Sequence, residues 1–470
     1  MEHSPDPPDT ISPVSARIAA AIRLARATGA LSRLTGRGGG TTLPGHVFLR
    51  VAPNGLRPLA ARLTDGVALV SSTNGKTTTA AMLASVLGAD HAVCRNSSGA
   101  NLVTGIATTL ASMPAAASIG VLEVDEAALP RIAGAVAPRL IALGNLYRDQ
   151  LDRHGELEMV ANRWRELVAR LPAETTLVLC ADDPVIDDLG RNHGAVLRYG
   201  IDDPAVALPH RDEAADSTHC VRCGQPYVYA QVYLGHLGAY RCPSGDHQRG
   251  ALDVAARDVR LDGVRGTTFR LEAPDGTCTV SLRLPGLYNV ENALAAIASA
   301  YVLGVPTAVA AERLSAFAAA FGRFERIAVD GREVVLLLFK NPTGANEALR
   351  AIRPDVASAQ VVLALNDRIA DGRDVSWIWD IDFEEAFSGV AGITCTGSRA
   401  ADLAVRLRYA DVEPSVLTTG ANVVSAFDRA VEAAPADGRV YVLATYTAML
   451  DLHRVLSDRG LTRPFWDAAS

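Results

Sequence analysis

Residues 67–79 read VALVSSTNGKTTT, a short apolar run that leads through one glycine and one lysine into three threonines. The apolar run Val67–Ser71 predicts a buried strand, and Ala80–Leu87 predicts a helix, so the polar loop lies between them. A glycine in such a loop lets backbone N–H groups turn towards phosphate oxygens. A lysine there neutralises phosphate charge, and a threonine hydroxyl ligates Mg²⁺. The stretch therefore predicts an ATP-binding loop, with an ordinary turn as the alternative.

The predicted nucleotide contacts are consecutive residues of this loop. They are Thr73, Asn74, Gly75, Lys76, Thr77 and Thr78. We assign Lys76 to the β- and γ-phosphates and Thr77 to Mg²⁺. The match to the full phosphate-loop pattern is incomplete, because Val70 stands where that pattern has its first glycine.

Further apolar runs along the chain end in polar clusters. They are Ile119–Val124, Leu140–Gly144, Thr176–Cys180, Glu333–Phe339, Gln360–Leu365 and Arg439–Ala444. Helical segments lie between them, and strands that alternate with helices form parallel, doubly wound sheets. We therefore predict an α/β protein with a central phosphate-loop unit and a second α/β unit at the C-terminus.

The length of 470 residues suggests about three domains. Residues 1–15 are rich in Pro, Asp and Ser and predict a disordered tail, followed by an N-terminal segment over 16–62. We place the central ATP-binding domain at 63–318 and the C-terminal α/β domain at 319–470. The polar, tyrosine-rich segment 210–250 interrupts the central pattern and is predicted to be a small insertion.

The net charge of −7 provides no overall basic field that would hold nucleic acid or an anionic membrane surface. Hydrophobic residues make up 49% of the chain and charged residues 21%, which is typical of a soluble globular protein. We find neither a secretory signal pattern nor an apolar run of about 18 residues that could span a bilayer. The sequence predicts a cytoplasmic protein that is not integral to the membrane.

Lysine is almost absent from the chain. Of the 45 basic residues 43 are arginine, and the two lysines are Lys76 and Lys340. Their retention indicates positions where a compact ammonium group is needed and a planar guanidinium does not fit. Chance retention is the alternative, and the neighbours of Lys76 argue against it there.

Three of the seven cysteines form a metal-binding pattern. Two residues separate Cys220 from Cys223, and 18 residues separate Cys223 from Cys242, which is the spacing of a zinc ribbon. Gly245 stands where the fourth ligand is expected, so we take His247 as that ligand in preference to Asp246. A structural Zn²⁺ site is predicted, and three free thiols are the alternative. The remaining four are expected to be buried, inert thiols: Cys94, Cys180, Cys278 and Cys395.

The phosphate loop and several other motifs, taken in order, resemble the Mur ligases. These motifs are NSSGAN (96–101), EVDE (123–126), DQLDRHG (149–155), ADDP (181–184), LPGLYNVEN (284–292) and FGRFER (321–326). The resemblance implies a Mur-ligase-like central domain that uses ATP. It also implies that Glu123 binds Mg²⁺, that Asn289 and Asn292 lie near the adenine, and that Arg323 lies at the hinge to the last domain.

Three features resemble the branch of Mur ligases that amidates lipid II. They are the cysteine insertion, Lys340-Asn341-Pro342, and LNDRIADGRDVSWIWDIDFE at 365–384. That branch implies ATP-dependent activation of the D-glutamate α-carboxylate of the stem peptide as an acyl phosphate, at the inner face of the membrane. Ammonia would come from a separate glutamine amidotransferase subunit. Asp367, Asp371 and Asp374 are candidates to orient a partner residue or ammonia, with a solvated loop as the alternative.

Two departures prevent a direct transfer of the family's magnesium ligands. No lysine occurs between residues 77 and 339, where many Mur ligases carry a carbamylated lysine, and Gln150 replaces a frequent metal-binding histidine. An amino-acid-adding ligase of the Mur or folylpolyglutamate synthetase type is a second hypothesis for the function. A zinc-ribbon nucleic-acid-binding module with an ATP-binding regulatory domain is a third, and the acidic net charge opposes it.

Overall fold

The computed structural model describes residues 16–34, 41–96, 99–148, 157–211, 215–317 and 323–462. The predicted tail at 1–15 lies outside this part of the chain, as does the motif at 149–155 with Gln150. The N-terminal segment forms three helices that precede the first strand: α1 (Ala16–Leu34), α2 (Leu43–Val51) and α3 (Leu56–Ala60). Phe48 of α2 is fully buried and anchors this layer in the central core.

Within the described residues, nine strands form a central sheet: β1 (Gly66–Ser71), β2 (Val93–Arg95), β3 (Ile119–Glu123), β4 (Leu140–Leu143), β5 (Thr176–Cys180), β6 (Val196–Ile201), β9 (Val254–Leu261), β10 (Thr267–Ala273) and β11 (Gly276–Leu282). Their order is β11-β10-β9-β6-β5-β4-β1-β3-β2. β1 pairs in parallel with β3 on one side and β4 on the other. Ser71, Glu123 and Leu143 therefore end neighbouring strands at one edge, where α/β proteins build their ligand sites.

Helices cover this sheet: α4 (Lys76–Leu87), α5 (Val103–Ser112), α6 (Leu129–Val136), α7 (Leu157–Val168), α8 (Pro184–Leu189), α9 (Leu287–Val302) and α10 (Thr307–Ser315). α9 is buried over most of its length and packs against α4, β5 and β6. The parallel part of the sheet agrees with the predicted fold. The antiparallel edge of β10 and β11 was not predicted, because those strands alternate buried and exposed residues and lack a continuous apolar run.

A second sheet follows, with strands β12 (Arg323–Val329), β13 (Arg332–Leu338), β14 (Gln360–Ala364), β15 (Gly392–Thr396), β16 (Leu417–Thr419) and β17 (Arg439–Ala444). Its helices are α11 (Pro342–Ile352), α12 (Ala400–Tyr409), α13 (Val423–Ala433) and α14 (Tyr446–Asp458). The order is β12-β13-β17-β14-β15-β16, and β12 is antiparallel to its neighbour whereas the other pairs are parallel. Both sheets together give the α/β architecture expected from the sequence.

The insertion carries a separate hairpin of β7 (Val228–Leu234) and β8 (Leu237–Arg241). Its tip reaches the central unit, because Tyr147 donates its hydroxyl hydrogen to the Leu234 carbonyl at 2.9 Å. The His236 ring is fully buried, and its centroid lies 4.7 Å from that of Tyr147. The hairpin is thus packed on the central unit at its tip.

Helix α4 begins at Lys76, four residues earlier than the sequence suggested. Thr77, Thr78 and Thr79 form its first turn, although threonine has a modest helix propensity, because tertiary contacts stabilise that turn. Among the described residues, we find no helix that is both long and apolar enough to cross a membrane.

Candidate active site

The loop between β1 and α4 is held by side chains from its surroundings. Asn145, which follows β4, accepts a hydrogen bond from the Asn74 N–H at 2.9 Å and donates one to the Asn74 carbonyl at 3.2 Å. The Thr73 N–H donates to the Asn145 carbonyl at 2.9 Å. Gly75 caps α4 with φ of 88°, in the left-handed region that glycine adopts without strain. A Cβ atom at Gly75 would lie 1.9 Å from Oδ1 of Asn292, so any larger residue would force that side chain to move.

Lys76 points its ammonium group into the loop. Its Nζ donates to the Ser72 carbonyl at 3.0 Å and lies 3.2 Å from Oε2 of Glu126, whose side chain is only 8% exposed. Burial by itself would raise the pKa of Glu126, but the charges of Lys76 and Lys340 outweigh it and lower that pKa below its ordinary value. Glu126 is therefore a buried carboxylate that pairs with the loop lysine.

A second acidic residue lies beside the first helical turn. Thr77 donates its hydroxyl hydrogen to Oε1 of Glu123 at 2.8 Å, and Asn101 Nδ2 lies 3.5 Å from the same oxygen. Glu123 ends β3 and is buried, and Asn96 holds its backbone through bonds of 2.9 Å to both the N–H and the carbonyl. A hydroxyl and a carboxylate so placed are hard oxygen donors of the kind that Mg²⁺ prefers. These residues therefore fit a magnesium ion.

Asn289 and Asn292, on the first turns of α9, form an amide chain against the loop. Asn292 accepts from the Thr79 hydroxyl at 3.2 Å and donates to Oδ1 of Asn289 at 3.1 Å, while Asn289 donates to the Pro285 carbonyl at 2.7 Å. Both residues line the cleft described next. Their amides brace the loop, a role that the sequence did not suggest.

A cleft of about 420 Å³ opens between the two sheets at the loop. The central unit contributes the loop itself, Glu123, Glu126 and Asn101, and the second sheet contributes Lys340, Glu347, Asp371 and Tyr446. Lys340 follows β13, and its Nζ donates to the Thr73 carbonyl at 3.3 Å. The next residue, Asn341, donates to Oδ1 of Asn74 at 2.9 Å. Residues of both sheets thus meet at the phosphate loop.

Comparison with known proteins agrees with this geometry. A family model for the Mur ligase middle domain matches residues 70–240, and one for the MurT ligase C-terminal region matches residues 338–449. The MurT subunit of lipid II isoglutaminyl synthase (glutamine-hydrolyzing) from Streptococcus pneumoniae is 33% identical over 440 residues, covering 92% of this chain and 95% of that protein. The chain belongs to the MurT family of Mur ligases. The MurT subunit from Staphylococcus aureus is 31% identical over 84% of this chain and 89% of its own length.

A solved structure shows the same fold at lower identity. The pseudomurein peptide ligase type C from Methanothermus fervidus superposes with a TM-score of 0.65 at 23% identity, covering 84% of this chain and 78% of that one. This likeness supports the Mur ligase fold for the MurT-family chain.

The three acidic residues of the MurT-specific stretch occupy different places. Asp371 lines the cleft, and its carboxylate accepts from the backbone and hydroxyl of Thr447 at 2.7 and 2.6 Å, while burial raises its pKa. Asp367 accepts from the Ser398 hydroxyl at 2.7 Å, which together with Arg399 lowers its pKa. Asp374 is exposed and accepts from the backbone N–H of Ser376 at 2.8 Å, which lowers its pKa. The structure therefore brings only Asp371 of the three into the cleft lining.

The cysteines of the insertion converge, but His247 does not join them. The sulfur atoms of Cys220, Cys223 and Cys242 all lie within 4.8 Å of one another. The ring of His247 is instead buried between tyrosines, with Nδ1 2.6 Å from the Tyr227 hydroxyl and Nε2 3.4 Å from that of Tyr240. Choosing His247 as the fourth ligand is therefore not supported, because both ring nitrogens face other polar groups.

A different group lies next to the sulfurs. The Ser244 hydroxyl oxygen is 2.9 Å from the sulfur of Cys242 and 3.3 Å from that of Cys223, and it donates to Oδ2 of Asp246 at 2.7 Å. Three cysteine sulfurs suit Zn²⁺. Asp246, which the sequence offered as the alternative to His247, is linked to these sulfurs through the Ser244 hydroxyl.

Sequence analysis missed some residues of the site, and one predicted side chain lies outside the part of the chain that the structure describes. Glu126 was quoted only as part of a family motif, and its pairing with Lys76 depends on folding. Asn145 and Tyr147 were not singled out, although both follow β4 at the sheet edge where such residues collect. Arg323 is the first residue of β12, and its side chain is outside the described part of the chain.

Proposed function

We propose that this chain is the synthetase subunit of a lipid II isoglutaminyl synthase. It would use ATP to convert the α-carboxylate of D-glutamate in the stem peptide of lipid II into an acyl phosphate, which ammonia then attacks to give D-isoglutamine. The observation that carries the proposal is the joint presence of the phosphate loop and the MurT C-terminal region on the two sides of one cleft. The S. pneumoniae relative, which is named for this activity, is similar over nearly the full length of both chains.

The chemistry requires an activated carboxylate, because a carboxylate is a poor electrophile until phosphate turns one of its oxygens into a leaving group. Lys76 would stabilise charge on the transferred phosphoryl group, and the loop N–H groups at the start of α4 would hold the phosphates. Thr77 and Glu123 would hold Mg²⁺, which neutralises phosphate charge when bound. The cleft between the sheets would exclude water from the acyl phosphate.

Ammonia would come from a partner subunit, a GatD-like glutamine amidotransferase. The chain shows no motif of a nucleophilic cysteine with a histidine base. Cys94, Cys180 and Cys395 are buried, and burial raises the pKa of each thiol, so that none of them suits nucleophilic attack. The complex would act at the inner face of the membrane, where the lipid-linked substrate is exposed to ATP.

We also propose that Cys220, Cys223 and Cys242 hold a structural Zn²⁺ ion in a zinc-ribbon-like insertion. The three sulfurs are already grouped, and the metal would tie the loop before β7 to the end of β8. Metal analysis of Cys220→Ser beside the parent protein tests this proposal. An equal zinc content in both proteins would contradict it.

The proposed domain limits are 63–318 for the ATP-binding domain and 319–470 for the C-terminal domain. They place the boundary between α10 and β12, where the chain passes from one sheet to the other. Limited proteolysis with mass spectrometry tests the boundary, and we expect the first cleavage of the compact chain near residue 319.

One reconstitution tests the function. The chain is co-purified with a glutamine amidotransferase from the same genome and supplied with lipid II, ATP and glutamine, and the product is examined by mass spectrometry. Replacement of one carboxyl OH by NH₂ is expected, with dependence on glutamine or an ammonium salt. Attachment of a supplied amino acid instead would favour an amino-acid-adding ligase of the Mur or folylpolyglutamate type.

A further inference from the structure

The only two lysines of the chain meet at one carbonyl oxygen. Lys76 Nζ lies 3.4 Å from the Thr73 carbonyl oxygen, and Lys340 Nζ donates to the same oxygen at 3.3 Å. They arrive from opposite sides, Lys76 from the start of α4 and Lys340 from the end of β13 in the second sheet. In a chain that uses arginine everywhere else, this convergence indicates a shared requirement for a compact ammonium group.

Both lysines also act on one carboxylate. Glu126 lies 3.2 Å from Lys76, and the positive charges of Lys76 and Lys340 together keep it ionised in spite of its burial. A buried carboxylate that pairs with an ammonium group stabilises its position, because leaving either charge unpaired there would be costly. Glu126 therefore holds Lys76 beside the phosphate loop, and the charge of Lys340 acts on the same carboxylate.

The position of Lys340 depends on the docking of the two sheets. The neighbouring residue Asn341 caps α11 by accepting from the Gly344 N–H at 2.9 Å, and it also bonds to the side chain of Asn74. Two consecutive residues of the second sheet thus contact two consecutive residues of the loop, Thr73 and Asn74. This contact places the ammonium of Lys340 at the loop whenever the sheets are docked as observed.

We propose that Lys340 is a second phosphate-binding cation that contacts the γ-phosphoryl group from the side of the second sheet, with Glu126 as a positioning residue for Lys76. The inference rests on the proposed function. An oxygen of the substrate carboxylate bonds to the γ-phosphorus as the bond from that phosphorus to the bridging oxygen breaks, and ADP leaves with the electron pair. Lys340 stays protonated and stabilises charge on the phosphoryl oxygens during the transfer.

Nucleotide binding separates the roles of the two lysines. The variants are Lys76→Met and Lys340→Met, and the matched control is Arg332→Met at the opposite end of β13, where Arg332 bonds to the Ala434 carbonyl at 2.9 Å. Calorimetry compares ADP with a non-hydrolysable ATP analogue. Lys340→Met is expected to lower the affinity for the analogue about tenfold and the affinity for ADP less than about twofold, because only the analogue carries a γ-phosphate. Lys76→Met should lower the affinity for both nucleotides, and the control variant should change neither affinity.

Phosphoryl transfer gives the second readout. The acyl phosphate formed from ATP and lipid II is trapped with hydroxylamine, and Lys340→Met should slow its formation on the order of 10²-fold. Lys340→Arg should recover little of this loss, because the guanidinium is larger and planar. Glu126→Gln should lower the rate and weaken both nucleotides, because it leaves Lys76 without its buried counter-charge. Glu126→Asp, which keeps the charge, should recover part of the rate, which a purely structural role would not predict.

The inference is overturned if Lys340→Met binds the analogue and transfers phosphate like the parent, or if it weakens ADP and the analogue equally. Full activity of Lys340→Arg would overturn the requirement for an ammonium group. If the parent forms no acyl phosphate with lipid II, the proposed function fails, and the comparison of ADP with the analogue still decides the role of Lys340.

Discussion

Gly75→Ala tests whether the phosphate loop depends on its left-handed glycine and on the amide packed against it. A residue other than glycine at φ of 88° costs about 1–2 kcal/mol. The new Cβ would lie 1.9 Å from Oδ1 of Asn292, so that side chain must move and lose its bonds to Thr79 and Asn289, at about 1 kcal/mol each. The expected total is roughly 3–4 kcal/mol.

This cost can be measured as lost stability, as lost ATP affinity, or as both. Urea unfolding gives the first quantity and calorimetric titration with ATP the second, and their losses should together reach the stated range. Gly134→Ala in α6 is the matched control, because nothing lies within 4 Å of its Cβ position and alanine favours a helix. Gly75→Ala/Asn292→Ala should cost less than the sum of the single changes, since the clash is then absent. Losses below about 0.5 kcal/mol in Gly75→Ala would refute the reasoning.

Three further predictions concern other parts of the chain. Burial, and to a lesser extent the charge of the neighbouring Asp182, raises the pKa of Glu291 well above its ordinary value. The free energy of unfolding should therefore fall as pH rises above the ordinary carboxyl range, by up to about 1.4 kcal/mol per pH unit. Thermal unfolding between pH 5.5 and 8.5 measures this decline, and Glu291→Gln should flatten it. Cys220→Ser should release zinc and lower the melting temperature, whereas Cys278→Ser should do neither. Asp371→Asn should cost about 1–3 kcal/mol in urea unfolding, because one of two short bonds to Thr447 loses its acceptor. A loss of amidation with unchanged stability would instead favour the catalytic role considered for Asp371.

The strand, loop and helix around residue 76 were predictable because each signal there is local. A buried apolar run, a glycine and a lysine lie next to one another in the sequence. The start of α4 was misplaced, since three successive threonines have little helix propensity and are stabilised by Glu123 and Asn292, which are distant in the chain. Local sequence patterns thus located the phosphate loop but not the residue at which α4 begins.

Some site residues are brought together only by folding, and the spacing of residues along the sequence could not predict them. Glu126 becomes a counter-ion only when the end of β3 meets α4, and its sequence neighbours give no sign of Lys76. His247 was chosen by ligand chemistry and distance along the chain, whereas the fold directs its ring towards Tyr227 and Tyr240. Lys340 was noticed because lysine is so scarce and because it begins the segment Lys340-Asn341-Pro342. Its place at the phosphate loop required the second sheet.

Ser72, at the start of the phosphate loop, has a structural role. It is not among the described residues with positive φ, so its backbone does not require glycine. Its hydroxyl donates to the Asn74 carbonyl at 2.6 Å and tightens the loop. Room for the serine comes from Gly144, where a Cβ atom would lie 2.9 Å from that of Ser72.

Side-chain amides then take over the task of shaping the loop. Asn145 holds both backbone groups of Asn74, Asn341 holds its side chain, and Asn292 packs against Gly75. These three asparagines come from the end of β4, from the second sheet and from α9. The conformation of the loop therefore depends on how each of these elements packs against it. Asn341 makes its contact with the loop from the second sheet, and the neighbouring Lys340 meets Lys76 at the Thr73 carbonyl. The same segment of the second sheet therefore both shapes the loop and brings the two lysines together.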